Sequence, residues 1–152
     1  IQKDFSRIMS LKDGTKKMSK SEPSDQSRIN LNDNKDVIVN KIKKAKTDAL
    51  PLPSSIKELD ARPEAKNLLG IYSSLENLTL DKSVKEFEGK NFSEFKEKLS
   101  QVLVEKINPI SFEIQKLIND KDFLDKILLN GQKKAYDIAS KKIRKMHEII
   151  GF

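Results

Sequence analysis

Residues 91–119 constrain the fold of this chain more than any other stretch. Their apolar residues recur at spacings of three and four throughout, at Phe92, Phe95, Leu99, Val102, Leu103, Ile107, Ile110, Ile114 and Leu117. That spacing is the period of one face of an α-helix, and Asn91 with Glu94 matches a capping pair at its start. Pro109 removes one backbone hydrogen bond and predicts a bend. The segment therefore predicts one long amphipathic helix.

Two shorter helices are predicted before this segment. Residues 33–36 supply a capping residue followed by an acid, and a helix beginning there places three apolar residues on one face, Ile38, Ile42 and Ala45. Pro63 suits the first turn of a second helix, whose apolar stripe consists of Leu68, Leu69, Tyr72 and Leu75. Because aromatic residues at helical spacing are usually packing residues, Tyr72 is interpreted as a core residue with its hydroxyl at the rim. Residues 50–55 contain two prolines and are interpreted as an extended linker.

The carboxyl-terminal residues predict two more helices. A short one covers residues 120–129 and is expected to end at Asn130-Gly131, since glycine commonly terminates helices. The last one covers residues 132–150 and is expected to bury one apolar face, formed by Ala135, Ile138, Ala139, Ile143, Met146 and Ile149. Its outer face is basic and consists of Lys133, Lys134, Lys141, Lys142, Arg144 and Lys145. Strand-like alternation is nowhere convincing, so the body is predicted to be an all-α helical bundle.

Residues 1–32 differ from the rest of the chain. They are dense in Gly, Ser, Asp and Pro and show no sustained period, which indicates loops and irregular structure. The predicted organisation is a loop-rich segment, residues 1–32, followed by a helical region, residues 33–152. The first residue is Ile1 rather than methionine, and this start is interpreted as that of a fragment.

Charge is unevenly distributed along the 152 residues. Residues 1–47 carry 12 Lys and Arg against 6 Asp and Glu, residues 48–130 carry 12 against 15, and residues 131–152 carry 6 against 2. Two basic ends around an acidic middle favour a polyanionic partner, although a lysine-rich solvated surface would have the same composition.

Several classes of protein and site are excluded by composition. No run approaches the roughly 18 apolar residues that a membrane-spanning helix requires, so no membrane partner is predicted. Without cysteine, neither disulfides nor thiolate chemistry is available. His147 is the only histidine and is interpreted as a surface residue, because no metal-ligand spacing surrounds it in the sequence. No metal site is therefore predicted.

The reactive chemistry is concentrated in Lys17-Met18-Ser19-Lys20-Ser21, the lysine loop. Lysine ammonium groups are compact charges with three donors each, which suits oxygens whose charge changes during a reaction. Serine hydroxyls and free backbone N–H groups can fill the remaining acceptor positions of a triphosphate. The loop therefore indicates triphosphate binding, whereas a generic cluster of lysines would be an ordinary solvated loop.

The five letters of the lysine loop match the ATP loop of class I aminoacyl-tRNA synthetases without a mismatch. Upstream, Arg7-Ile8-Met9-Ser10-Leu11 resembles the end of the nucleotide-binding domain of bacterial-type tryptophanyl-tRNA synthetases. Further segments resemble that family in the same order along the chain: Ala45-Lys46-Thr47-Asp48, Asn67-Leu68-Leu69-Gly70-Ile71-Tyr72, Phe87-Glu88-Gly89-Lys90, Phe95-Lys96 with Leu99, and Pro109-Ile110. The chain departs from the family pattern in residues 50–61 and at Glu64, where glycine is frequent.

The resemblance implies roles for individual residues. Lys17 and Lys20 are the expected catalytic residues, which stabilise negative charge on the departing pyrophosphate. The expected ATP-binding residues are Ile8, Lys17, Met18, Ser19, Lys20 and Ser21. The candidates for tRNA binding are basic residues expected on exposed helix faces, namely Lys41, Lys43, Lys44, Lys133, Lys141, Arg144 and Lys145. Residues 1–32 would be the end of a Rossmann-like nucleotide-binding domain, and residues 33–152 an anticodon-binding helical bundle.

The implied activity belongs to a full-length protein. It would activate tryptophan with ATP and Mg²⁺, without a tightly bound cofactor, and transfer it to tRNA in the cytoplasm. Tryptophan would bind through an upstream domain, and the full-length protein is expected to be a homodimer, so the fragment alone is not expected to be active. Two alternatives stay open at this point: the corresponding part of a tyrosyl-tRNA synthetase, and a helical RNA-binding module without catalysis.

Overall fold

The computed structural model describes residues 6–151. These residues form five α-helices, named here in chain order: α1 (Lys35–Lys43), α2 (Pro63–Leu75), α3 (Leu80–Phe87), α4 (Phe92–Asn119) and α5 (Lys121–Ile150). Two short 3₁₀ helices lie at Asp25–Ser27 and Lys57–Ala61. The described part of the chain contains no β-strand, only an isolated antiparallel bridge between Met9 and Lys17. The prediction of an all-α protein is confirmed.

Four of the five helices begin at a residue whose side chain caps a free N–H group. Asn34 accepts from the backbone N–H of Val37 at 3.0 Å, and Asn91 accepts from that of Glu94 at 2.9 Å. Pro63 occupies the first turn of α2, where its missing N–H costs nothing. These three predicted starts are therefore correct.

The chain divides into two compact units, one ending at Phe112 and the other beginning at Glu113. In the first unit the predicted apolar faces of α1, α2 and the first half of α4 meet in one core with α3. Its fully buried members include Ile38, Ile42, Leu68, Leu69, Phe95 and Leu99. Tyr72 is in this core as predicted, since it packs edge-on against Phe87 with ring centroids 4.9 Å apart. Its hydroxyl donates to Glu86 Oε1 at 2.9 Å.

Residues 50–55 are packed into the first unit rather than forming a free linker. Leu52 and Pro53 are buried. The N–H of Leu52 donates to the Lys90 carbonyl at 2.9 Å, and the N–H of Gly89 donates to the Leu52 carbonyl at 3.1 Å. The two prolines allow this because they leave the one N–H between them, that of Leu52, available for pairing.

The carboxyl-terminal helix differs from the prediction. Helix α5 runs from Lys121 to Ile150 without a break at Asn130-Gly131. Gly131 does not adopt the left-handed backbone that ends helices, whereas Gly151 does, with φ of 81°. The good helix formers on both sides of Gly131 propagate the helix through it, since one interior glycine costs only about 1 kcal/mol.

The predicted buried face of this last helix is also wrong. None of the residues of α5 is buried, and the six predicted core residues are all exposed: Ala135, Ile138, Ala139, Ile143, Met146 and Ile149. Helix α4 behaves similarly beyond the first unit, since Leu117 is exposed while Leu99 is fully buried. The periodicity thus identified helices correctly, but an apolar stripe is buried only where another element covers it. None of the helices in residues 6–151 has the length and apolar character needed to cross a membrane.

Candidate nucleotide-binding site

The lysine loop (residues 17–21) begins at a short antiparallel pairing. The N–H of Ser10 donates to the Lys16 carbonyl at 2.8 Å, and the N–H of Met18 donates to the Ile8 carbonyl at 3.1 Å. Between these two bonds, Met9 faces Lys17 across the pair. Local hydrogen bonds therefore define the position of the first lysine.

Two arms form this pairing, residues 8–11 (the first arm) and residues 16–18 (the second arm), and the turn that joins them is held by Asp13. Its carboxylate accepts from the hydroxyl of Thr15 at 2.6 Å and from the Thr15 N–H at 3.0 Å. These hydrogen bonds, more than the nearby Lys16 charge, keep the pKa of Asp13 below its usual value. Such an arrangement is an Asx-turn, in which aspartate is favoured because its side chain accepts from the backbone N–H two residues later.

Gly14 brings this turn directly onto the first turn of α2. A Cβ atom at Gly14 would lie 2.6 Å from the backbone N of Glu64 and 2.6 Å from the carbonyl carbon of Pro63. Backbone atoms cannot yield as a flexible side chain can, so only glycine fits this position. Glu64, a departure from the family pattern, faces Lys46 here, with Oε1 2.9 Å from the ammonium. This hydrogen bond is the main cause that lowers the pKa of Glu64.

Two further contacts attach the first arm to the helical core. Leu11 is buried, and its N–H donates to the Ser27 carbonyl at 2.9 Å while its carbonyl accepts from Lys46 N at 2.8 Å. Asn67 of α2 bonds Met9 in both directions: Asn67 Oδ1 accepts from Met9 N at 2.8 Å, and Asn67 Nδ2 donates to the Met9 carbonyl at 2.8 Å. The loop thus begins on a rigid base.

The far end of the lysine loop is held by Arg28. Its guanidinium donates to the Glu22 carbonyl at 2.8 Å and to Asn30 Oδ1 at 3.1 Å, and it lies 3.0 Å from Asp25 Oδ1. Asp25 in turn bonds the ammonium of Lys41 on α1 at 2.6 Å. A continuous polar network therefore links the end of the loop to helix α1.

Lys41 is not on the exposed basic surface predicted for α1. Its side chain is 1 % exposed, and its ammonium lies 2.6 Å from Asp33 Oδ2 as well as from Asp25. The reason is positional, because Lys41 follows Ile38 by three residues and precedes Ala45 by four, which places it on the buried face. The exposed predicted residues of α1 are Lys43 and, at its C-cap, Lys44.

The loop itself faces solvent. Lys17, Ser19, Lys20 and Ser21 are exposed, whereas Met18 packs partly against the core. Ile8, the predicted neighbour of adenine, is 45 % exposed beside it. Most of the predicted ATP-binding residues are therefore adjacent and accessible, including Lys17 and Lys20, the two lysines predicted to be catalytic.

A cavity of about 230 Å³ opens beside the loop. Its lining includes the ammonium-bearing side chains of Lys12, Lys16 and Lys17 and the hydroxyl residues Ser10 and Ser19. Lys12 and Lys16 were not among the predicted site residues, although the sequence shows Lys16 directly before Lys17 and Lys12 five residues before it. Lys20 is not part of this lining, so the cavity as it stands offers three lysines for an anion. Asp13 and Glu22 also border it and limit its positive charge.

The other predicted tRNA-binding residues are exposed on helix α5. Lys133, Lys141, Arg144 and Lys145 all lie in the second unit, while Lys43 and Lys44 lie in the first. Their role in tRNA binding stays a prediction. Within residues 6–151, no group of three or more histidines, cysteines or acidic residues is arranged to hold a metal ion.

Comparison with known proteins gives a consistent result. A family profile described as tRNA synthetases class I (W and Y) matches residues 3–110. The tryptophan–tRNA ligase of Agrobacterium fabrum is 50 % identical over 146 residues, which is 96 % of this chain and 41 % of that protein. The tryptophan–tRNA ligase of Rickettsia felis is 47 % identical over 152 residues, 100 % of this chain and 46 % of that protein.

A solved structure shares the fold. The tryptophanyl-tRNA synthetase of Campylobacter jejuni, complexed with ADP and tryptophan, superimposes with a TM-score of 0.76 at 22 % identity, covering 99 % of this chain and 45 % of that one. The chain thus spans less than half the length of these relatives. The family resemblance read from the sequence is confirmed: the chain belongs to the class I tRNA synthetases of the tryptophan and tyrosine (W and Y) type.

Proposed function

We propose that this chain is the carboxyl-terminal part of a tryptophan–tRNA ligase, which activates tryptophan with ATP and transfers it to tRNA. The observation that carries the proposal is the lysine loop, which is attached at both ends to the helical region and is exposed to solvent between them. Relatives named tryptophan–tRNA ligase, at 47 % and 50 % identity across nearly the whole chain, support tryptophan as the amino acid. An upstream domain would supply the tryptophan pocket.

In this reaction the carboxylate of tryptophan attacks the α-phosphate of ATP and pyrophosphate leaves. Negative charge grows on the leaving oxygens, and the ammonium groups of Lys17 and Lys20 stabilise that charge more in the transition state than in the bound substrate. Ser19 and Ser21 donate hydrogen bonds to the phosphates, and Met18 with the backbone of Ile8 borders adenine. Mg²⁺ enters with the nucleotide as part of the substrate, and no cofactor is held tightly.

The geometry of the cavity agrees with phosphate binding. About 230 Å³ is smaller than the roughly 300–1,000 Å³ of pockets that enclose a whole ligand. It is therefore suited to the phosphate end of a nucleotide, between Lys12, Lys16 and Lys17. Lys20 reaches the same phosphates when the loop closes, which its exposed position permits.

The helical region is proposed to bind the tRNA. Its exposed basic residues contact the phosphate backbone, which positions an RNA without specifying its sequence. Of the predicted contacts, those on the surface are Lys43, Lys44, Lys133, Lys141, Arg144 and Lys145. The division of the chain after residue 32 into the end of a catalytic domain and a tRNA-binding region is part of this proposal. So are a homodimeric full-length protein and a cytoplasmic location.

The test is amino-acid-dependent exchange of labelled pyrophosphate into ATP by the full-length protein. Tryptophan should support exchange and tyrosine should not. Lys20→Ala should lower the rate by about 100- to 1,000-fold, the usual scale for a lost transition-state charge contact. Lys57→Ala is the matched control, because Lys57 is an exposed lysine outside the site. Exchange with tyrosine would contradict the assignment of tryptophan as the substrate. An exchange rate unaffected by Lys20→Ala would contradict the role of the lysine loop in the reaction.

A further inference from the structure

Asn67 makes an unusual contact for a helix residue. It is 2 % exposed on α2, yet both polar groups of its side chain bond the backbone of Met9, a residue 58 positions earlier in the chain. The two bonds replace those that a neighbouring strand would make. Because Asn67 is buried and Met9 is half-buried, losing these bonds would leave polar groups without their partners.

The pairing around Met9 explains why this contact is possible. The hydrogen bonds Ser10–Lys16 and Met18–Ile8 flank the facing residues Met9 and Lys17. In antiparallel pairing, a residue pair between two such bonds points its own N–H and C=O groups away from its partner. The free backbone edge of Met9 therefore faces outward, and Asn67 satisfies it.

We infer that Asn67 is a positioning residue for the lysine loop. A two-stranded pairing by itself is marginally stable in water, and this one carries the first lysine directly opposite Met9. By fixing the outer edge of Met9 on a rigid helix, Asn67 fixes the backbone of Lys17 across the pair. The inference rests on the proposed function, because it concerns the lysines that act on the phosphates.

Other contacts limit what a substitution at Asn67 would disturb. Leu11 is buried and Gly14 packs on Pro63 and Glu64, and neither contact uses the side-chain amide of Asn67. The hairpin would therefore remain attached to the helices, and the change would fall on the geometry of Met9 and Lys17. A loss of loop geometry should lower kcat more than it changes substrate affinity.

The test uses Asn67→Leu in the full-length protein, since leucine is of similar size and forms no hydrogen bonds. Its kcat for tryptophan-dependent pyrophosphate exchange should fall about 10- to 100-fold, as small misplacements of catalytic groups do, with the KM for tryptophan within about 2-fold of wild type. Hydrogen exchange followed by mass spectrometry should show at least about 10-fold faster exchange in peptides covering residues 8–18.

Ser73→Ala is the matched control. Ser73 is also buried on α2, and its hydroxyl donates only to the Gly70 carbonyl at 3.0 Å, away from the loop. An equal fall in kcat for Ser73→Ala would mean that the Asn67 effect is general destabilisation, and would overturn the inference. Wild-type kcat or unchanged amide exchange in Asn67→Leu would overturn it as well. A wild-type protein inactive with every amino acid would instead overturn the proposed function, and with it the catalytic part of the inference.

Discussion

Replacing Lys41 by methionine tests the buried position of this residue most directly. Methionine has a similar length and no charge, so the substitution leaves Asp33, whose side chain is 9 % exposed, without its ammonium partner. Removing one member of a buried ion pair costs about 3–5 kcal/mol. We expect a cost at the lower end of this range, about 3 kcal/mol. The second carboxylate that pairs with Lys41, that of Asp25, is 54 % exposed, and water weakens this ion pair.

A loss of about 3 kcal/mol raises the unfolded fraction roughly 100-fold, since each 1.4 kcal/mol is a factor of ten. Urea unfolding of the chain would measure it, with tyrosine fluorescence as the readout. The chain has no tryptophan, and Tyr72 is buried whereas Tyr136 is 70 % exposed, so the fluorescence change reports mainly on the core. Lys43→Met, the same substitution on the exposed side of α1, should change stability by less than about 0.5 kcal/mol.

The pH dependence of the same variant gives a second readout. The hydrogen bond from Lys41 is the main cause that lowers the pKa of Asp25 below 3.8. A carboxyl group whose pKa is lower in the folded state contributes stability above its unfolded pKa and loses it as pH falls through the folded value. Wild type should therefore lose stability in acid more steeply than Lys41→Met. Equal stability of Lys41→Met and wild type at pH 7 would contradict the buried ion pair and would indicate that Lys41 is a surface residue.

Three other predictions concern the remaining features. Gly14→Ala should weaken the packing of the turn on α2 and speed hydrogen exchange in residues 8–18, because its Cβ would overlap the Glu64 backbone; unchanged exchange would contradict that contact. Gly131→Ala should stabilise α5 by about 1 kcal/mol and raise the far-ultraviolet helical signal, since nothing lies within 4 Å of the added Cβ; a loss of helix would mean that Gly131 ends it after all. Arg144→Ala should lower tRNA affinity and reduce the salt dependence of binding by about one unit of slope, whereas an unchanged slope would place Arg144 outside the interface.

Local patterns were sufficient for three of the five helices and for the lysine loop, whereas α3 was not predicted and α5 was predicted as two helices. Spacings of three and four identified α1, α2 and α4. Side-chain caps located the starts of α1 and α4, and Pro63 located that of α2, because these signals depend on residues close together in sequence. The predicted end of the helix over residues 120–129 was wrong for a related reason. Asn130-Gly131 permits a helix to stop but does not force it, and the residues beyond favour continuation.

The site needed contacts that no local pattern contains. Asn67 and Met9 are 58 residues apart, and nothing in either neighbourhood predicts their pairing. The burial of Lys41 could be predicted in part from the sequence. Its place between Ile38 and Ala45 on the apolar face was visible in the sequence, and a lysine at such a position predicts a buried carboxylate partner. Which carboxylate it would be, Asp33 or Asp25, still depended on the fold.

The pairing of Met9 with Lys17 has a consequence for how the loop can change in length. Side chains alternate between the two faces of a paired segment, so an added or removed residue that shifted the register of this pairing by one would move the Lys17 side chain to the opposite face. With seven residues between Met9 and Lys17, the ammonium group of Lys17 has one permitted side. The turn can therefore change in length without moving Lys17 only where the pairing of these two residues is kept, which makes their register as much a part of the site as the lysines themselves.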